Sequence, residues 1–77
     1  MKMMLTFGEK IRALREDNDL NQTQLGIQIG MTQRKISYLE CGKCEPCMDD
    51  IRAFCRYFDL SADYLLGLPR GLNYPER

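Results

Sequence analysis

The chain has 77 residues, with 11 basic and 11 acidic side chains, 44% hydrophobic residues, four cysteines and no histidine. That length allows one domain with a small core and leaves no room for an enclosed active site beside it. No apolar run approaches the ~20 residues of a membrane-spanning helix, and without histidine the commonest general base and metal ligand is missing, so an enzyme is not expected.

The opening Met-Lys-Met-Met-Leu stretch is too short for the apolar region of a signal peptide, so a cytoplasmic protein is expected. Thr6-Phe-Gly-Glu9 is a capping box that starts a first helix running to about Asp17. Phe7, Ile11 and Leu14 share its inward face, and Lys10 and Arg12 are expected to point outward. Glu16-Asp-Asn-Asp19 is a turn signal, after which Leu20 enters the core. Asn21 with Gln24 forms a second capping box, and Leu25 and Ile29 make the apolar stripe of the second helix. Gly26 sits inside that helix, where glycine costs about 1 kcal/mol relative to alanine. Such a cost makes sense where another backbone must come close. Gly30 stands where the helix should stop, because a left-handed residue is best supplied by glycine.

Thr32 caps a third helix over 33–40 whose inward face is Ile36 and Leu39, with Met31 before it. Two short helices joined by a tight glycine turn make a helix-turn-helix. The third helix leaves Gln33, Arg34, Ser37 and Tyr38 outside, with Lys35 alongside. Gln and Arg make bidentate bonds to adenine and guanine edges in the major groove, so these four are the expected base-contacting residues. Arg34 and Lys35 also occupy the first turn, where the helix dipole favours carboxylates. Phosphates that neutralise both would explain them. Residues 22–44 carry Arg34, Lys35 and Lys43 against Glu40, a net charge of +2, while residues 45–77 carry four arginines against six carboxylates, a net charge of −2. The positive part is the helix-turn-helix part, and the modest excess implies binding that relies on dimerisation.

Gly42 should end the third helix, and Glu45-Pro46 forces the chain extended. A fourth helix follows, with Asp49 and Asp50 in its first turn and Ile51, Phe54, Cys55 and Phe58 as its buried stripe, ending near Asp59. Ser61 caps a last helix from Ala62 to Leu66, stopped by Gly67 and Pro69. Residues 1–69 are expected to form the domain, and residues 70–77 a flexible tail.

Gln22, Leu25, Gly26, Gly30, Thr32, Gln33, Ile36, Ser37, Leu39 and Glu40 resemble the Cro/repressor-type, or XRE-like, helix-turn-helix family. Arg15, the Gly42-Lys43…Glu45-Pro46 loop and Tyr64-Leu-Leu-Gly67 extend the likeness from about Phe7 to Gly67. The resemblance implies an all-α fold, a compact five-helix repressor-like domain around the central helix-turn-helix. It implies an ion pair between Arg15 and Glu40 that joins the first and third helices. It also implies that Gln22 contacts the DNA backbone and braces Gln33, and that Lys43 contacts a phosphate. With Thr32 and Lys35 these form the expected backbone-contacting set. The implied function is a sequence-specific regulator of transcription, a repressor that places the 33–40 helix in the major groove of a double-stranded operator as a homodimer joined through the last helix. The alternative is a protein-interaction module of antitoxin or anti-repressor type. No cofactor and no membrane contact are expected, and a regulatory protein partner stays open.

Cys41, Cys44 and Cys47 read C-x2-C-x2-C, part of a metal-ligand run that lacks its fourth member, so no metal is expected. Cys55 lies on the apolar stripe as a small core residue. Cys44-Glu-Pro-Cys47 is a C-x-x-C directly before a helix, and the resemblance puts Cys47 where the family has a serine cap. Helix N-termini favour thiolates. Cys44 and Cys47 are therefore the candidate redox pair, the alternative being loop thiols simply kept reduced in the cytosol, with Cys41 a bystander in either case.

Overall fold

The computed structural model describes residues 5–68. Five helices follow in order: α1 (Phe7–Asp17), α2 (Gln22–Ile29), α3 (Gln33–Cys41), α4 (Met48–Phe58) and α5 (Ala62–Leu66). The tail expected beyond residue 69 lies outside the described residues.

The helix limits are set by local chemistry. Thr6 and Glu9 exchange side-chain and backbone bonds at the start of α1, and Asn21 and Gln24 do the same at α2. The Thr32 hydroxyl accepts the Lys35 N–H at 3.1 Å to open α3. Gly30, Gly42 and Gly67 each stand in the left-handed region just past a helix. Asp59 takes the same conformation after α4, with a φ of 56°.

Ile11, Leu25, Ile36, Leu39, Phe54 and Leu65 are fully buried and form one core. Each contributes roughly 1.5–3 kcal/mol by leaving water. Phe54 lies at the centre, edge-on to Phe7 at 5.8 Å and stacked with Phe58 at 6.5 Å between ring centroids. α3 packs chiefly on α1 and α2, while α4 lies against α2 and α5, and α5 also against α1; with Ile36 and Leu39 buried in this arrangement, α3 turns its polar side outward.

Two glycines permit close packing. At Gly26 an added Cβ would lie 2.3 Å from the Met31 carbonyl oxygen, so α2 can meet the turn only without a side chain there. At Gly8 it would lie 2.4 Å from the Leu39 carbonyl oxygen and 2.6 Å from that of Glu40, so α1 meets the end of α3 backbone to backbone.

The outward placement expected for Lys10 is corrected. Lys10 is buried, its ammonium donating to the Tyr64 carbonyl oxygen at 2.7 Å and lying 5.0 Å from the centre of the Tyr64 ring. The apolar stem of a lysine packs against the core while its tip seeks a polar partner. Here that partner is a carbonyl near the end of α5, where a cation is favoured. Arg12 does stay outside, paired with Glu16 at 3.1 Å.

Candidate nucleic-acid interface

A hydrogen-bonded chain runs from α1 to the start of α3. Arg15 Nε donates to Glu40 Oε2 at 2.6 Å, Arg15 Nη2 donates to Glu40 Oε1 at 3.0 Å, and Arg15 Nη1 donates to the Leu20 carbonyl at 2.8 Å. Glu40 Oε1 also accepts from Gln22 Nε2 at 3.1 Å, and Gln22 Oε1 accepts from Gln33 Nε2 at 2.6 Å. Hydrogen bonding to Glu40, opposed in part by burial, holds the Arg15 guanidinium above its ordinary pKa.

The carboxylate at one end dictates the orientation at the other. Ionised Glu40 can only accept, so Gln22 must turn its NH2 toward Glu40 and its oxygen toward Gln33. Gln33 must then donate to Gln22 with one N–H. Its carbonyl oxygen and second N–H remain, one acceptor and one donor, which is the pair a bidentate bond to adenine requires. Gln33 is exposed at the first position of α3.

Around it, Arg34 is exposed, Ser37 is half-buried and Tyr38 is 41% exposed. Thr32 is exposed at the α3 cap. Lys43 is exposed past the other end, its ammonium 5.7 Å from the centre of the Tyr38 ring, a cation–π contact that lays Lys43 beside the same face.

Lys35 is placed differently from Arg34. Its ammonium meets Asp50 Oδ1 at 2.8 Å, while Asp50 Oδ2 accepts the Cys47 backbone N–H at 3.0 Å. A protein carboxylate therefore neutralises the second cation of the first turn, and phosphate is not needed to explain it. Sequence reasoning missed Asp50 as a buried partner, although its i, i+4 spacing from Phe54 puts it on the inward stripe.

Burial works to raise the pKa of Asp50, but the bonds from Lys35 and from the Cys47 N–H outweigh it and hold the carboxyl below its ordinary value. Lys35 is raised, mainly by its bond to Asp50. A lowered carboxyl contributes stability above its unfolded pKa of about 3.9 and loses it as pH falls through the folded value. Because Lys35 is 41% exposed, solvent screening keeps the effect on the order of 1 kcal/mol. Urea melts should therefore lose about 1 kcal/mol more in the wild type than in Asp50→Asn between about pH 6 and pH 3. Equal losses would mean that the pair is not formed.

The cysteines are all reduced: Cys41 and Cys47 are exposed, Cys44 and Cys55 half-buried. Cys44 and Cys41 line one surface hollow beside the end of α3, and Cys47 is not part of its wall. Among the described residues no three His, Cys, Asp or Glu side chains gather closely enough to hold a metal ion, and no helix is long and apolar enough to cross a membrane.

The arrangement matches known proteins. Residues 6–66 match the model of a helix-turn-helix domain family. This chain belongs to the XRE-like helix-turn-helix family of DNA-binding transcriptional regulators. The HTH-type transcriptional activator BcrR of Enterococcus faecalis is 34% identical over 62 residues, 80% of this chain and 30% of that protein. The uncharacterised HTH-type regulator YobD of Bacillus subtilis (strain 168) is 32% identical over 60 residues, 78% of this chain and 54% of its own length. The chain thus spans about half of one curated relative and under a third of the other. Among solved structures, the P22 c2 repressor in complex with a synthetic operator superposes with a TM-score of 0.76 at 33% identity, over 82% of this chain and 96% of that one. PlcR of Bacillus thuringiensis, bound to the peptide PapR7 and DNA, gives 0.70 at 25% identity over 78% of this chain and 21% of its own. The five-helix repressor-like fold and the family assignment agree, and these XRE-like relatives are regulators of transcription rather than enzymes.

Proposed function

We propose that this XRE-like protein is a sequence-specific repressor that binds a double-stranded operator as a homodimer in the cytoplasm, with α3 in the major groove. The observation that carries the reading is the Glu40-anchored chain, which leaves Gln33 with an outward donor and acceptor beside the exposed Arg34. Gln33, Arg34, Ser37 and Tyr38 contact base edges in this reading. Gln22, Thr32 and Lys43 contact the sugar-phosphate backbone, and Lys35 does so only by leaving Asp50. The operator complex of the similar P22 c2 repressor supports it.

Dimerisation through α5 and its exit is supported by exposed apolar residues, Tyr64 at 48% and Leu66 at 49% on the helix and Leu68 at 45% just past it. Two copies paired in this way would place half-site centres about 34 Å apart, one turn of DNA, so that both copies of α3 enter successive major grooves. An operator that overlaps a promoter is then blocked by occupancy alone.

Selection of bound sequences from random duplexes tests class and symmetry together, and a two-fold symmetric consensus is expected. Gln33→Ala and Arg34→Ala should each relax preference at particular positions by about 1–3 kcal/mol. Lys43→Ala should weaken all sequences alike and lower the salt slope by about one. Failure to enrich any sequence, with the protein folded, would favour the interaction module instead.

A further inference from the structure

The first turn of α3 carries two cations, and the fold treats them differently. Arg34 is exposed. Lys35 reaches from α3 to α4, where its ammonium lies 2.8 Å from Asp50 Oδ1. The Asp50 side chain is only 8% exposed, and its other oxygen accepts the Cys47 backbone N–H at 3.0 Å. Asp50 and Lys10 are the buried charged residues among those described.

We infer that Asp50 is a positioning residue that holds Lys35 away from DNA phosphates and so limits how tightly the domain binds duplex DNA of any sequence. The effect rests on the proposed DNA binding, whereas the cause rests on the ion pair alone. A phosphate near the start of α3 competes with Asp50 for one ammonium. Moving Lys35 to the phosphate releases a counterion from the DNA, which favours binding. The same move leaves a buried carboxylate with a single donor, the Cys47 N–H, which opposes it. The second change offsets most of the first, so Lys35 adds little to binding while Asp50 is charged. Counting Asp50 with residues 22–44 also brings their net charge from +2 down to +1.

Base reading is untouched by this competition. The bonded chain that orients Gln33 runs through Arg15, Glu40 and Gln22 and does not include Asp50. Asp50 therefore acts on affinity for all sequences alike and leaves the preferred sequence as it is.

The test compares the wild type with Asp50→Asn, Lys35→Gln and the double variant, titrated with a mixed-sequence duplex and with the selected operator over a range of sodium chloride. Asparagine keeps an oxygen for the Cys47 N–H and lacks the charge. Asp50→Ser, whose hydroxyl also accepts an N–H, serves if Asp50→Asn fails to fold. Asp50→Asn should bind both duplexes about 5–10-fold more tightly at about 0.1 M salt, with a salt slope steeper by about 0.9 per bound copy. It should do so even though losing the pair lowers its stability, whereas a merely structural role for Asp50 predicts weaker binding. Adding Lys35→Gln should remove the gain and the extra slope, and Lys35→Gln alone should cost less than Lys43→Ala. Without DNA, acetic anhydride should acetylate Lys35 more slowly in the wild type than in Asp50→Asn, as read by mass spectrometry, because the bond to Asp50 holds the amine protonated. A wild type that selects no sequence refutes the repressor reading, and the Lys35-dependent gain on mixed-sequence duplex is then judged by itself. Unchanged or weaker binding by folded Asp50→Asn, a gain that survives in the double variant, or a Lys35→Gln loss as large as that of Lys43→Ala would overturn the inference.

Discussion

Arg15→Ala should remove about 3–5 kcal/mol of stability, the usual cost of leaving one partner of a buried ion pair alone. The Glu40 side chain is only 4% exposed and would keep a single donor, Gln22. The Leu20 carbonyl would also lose its bond from Arg15. A domain of this size has roughly 0.05–0.15 kcal/mol of stability per residue, so the loss takes away much of the total. At roughly 4–8 °C per kcal/mol, calorimetry should record a fall in Tm of well over 10 °C. Arg15→Lys keeps the charge but not the two-pronged geometry and should cost less. The double variant Arg15→Met, Glu40→Leu should recover most of the stability, because well-packed apolar groups often replace such a pair without loss. It should not recover operator binding, since Gln22 and Gln33 no longer have an anchor. A loss below about 1 kcal/mol for Arg15→Ala would place the pair among ordinary surface bridges.

Gly8→Ala should be nearly as damaging, at about 3 kcal/mol, near the top of the range for overpacked cores. Alanine is intrinsically better in a helix by about 1 kcal/mol, and that gain works against the loss. The clash prevails because the atoms met are the backbone oxygens of Leu39 and Glu40, which cannot rotate away as a flexible side chain would. The helix α1 must then move off α3, opening the contact that buries Ile11 and Leu39. Chemical denaturation of Gly8→Ala beside Gly8→Ser should show both lowered, with serine no better than alanine. A neutral Gly8→Ala would mean that α1 and α3 have slack at this end.

The helix boundaries and the all-α fold were legible because their signals are local. Thr6 with Glu9, Asn21 with Gln24, Thr32 and Ser61 act within three residues of themselves. The close approach at Gly26 was legible because a glycine inside a helix is unfavourable unless something demands it. Gly8 carries the same demand without drawing notice, since the first turn of a helix tolerates glycine and only the tertiary contact shows its use. Lys10 and Lys35 escaped for another reason. A helical wheel sorts residues by direction, but a lysine reaches sideways along its stem, Lys10 to a carbonyl 54 positions away and Lys35 to Asp50. The cysteines were grouped by spacing along the chain, and spacing does not show that Cys41 and Cys44, on either side of the turn at Gly42, line one surface hollow.

The caps have a kinetic consequence. Each helix carries its own start and stop, and α2 packs on the helix that directly follows it, so much of the structure can form from contacts close in sequence. Helical proteins built in this way fold in roughly microseconds to milliseconds. The bond from Lys10 to the Tyr64 carbonyl spans 54 positions, the widest of the hydrogen bonds among the described residues. Among those bonds it carries the largest loop-closure cost, though that cost grows only slowly with length. The five residues of α5 therefore dock after the helix-turn-helix is in place. Refolding is then expected to assemble the helix-turn-helix before the part through which two copies are proposed to join.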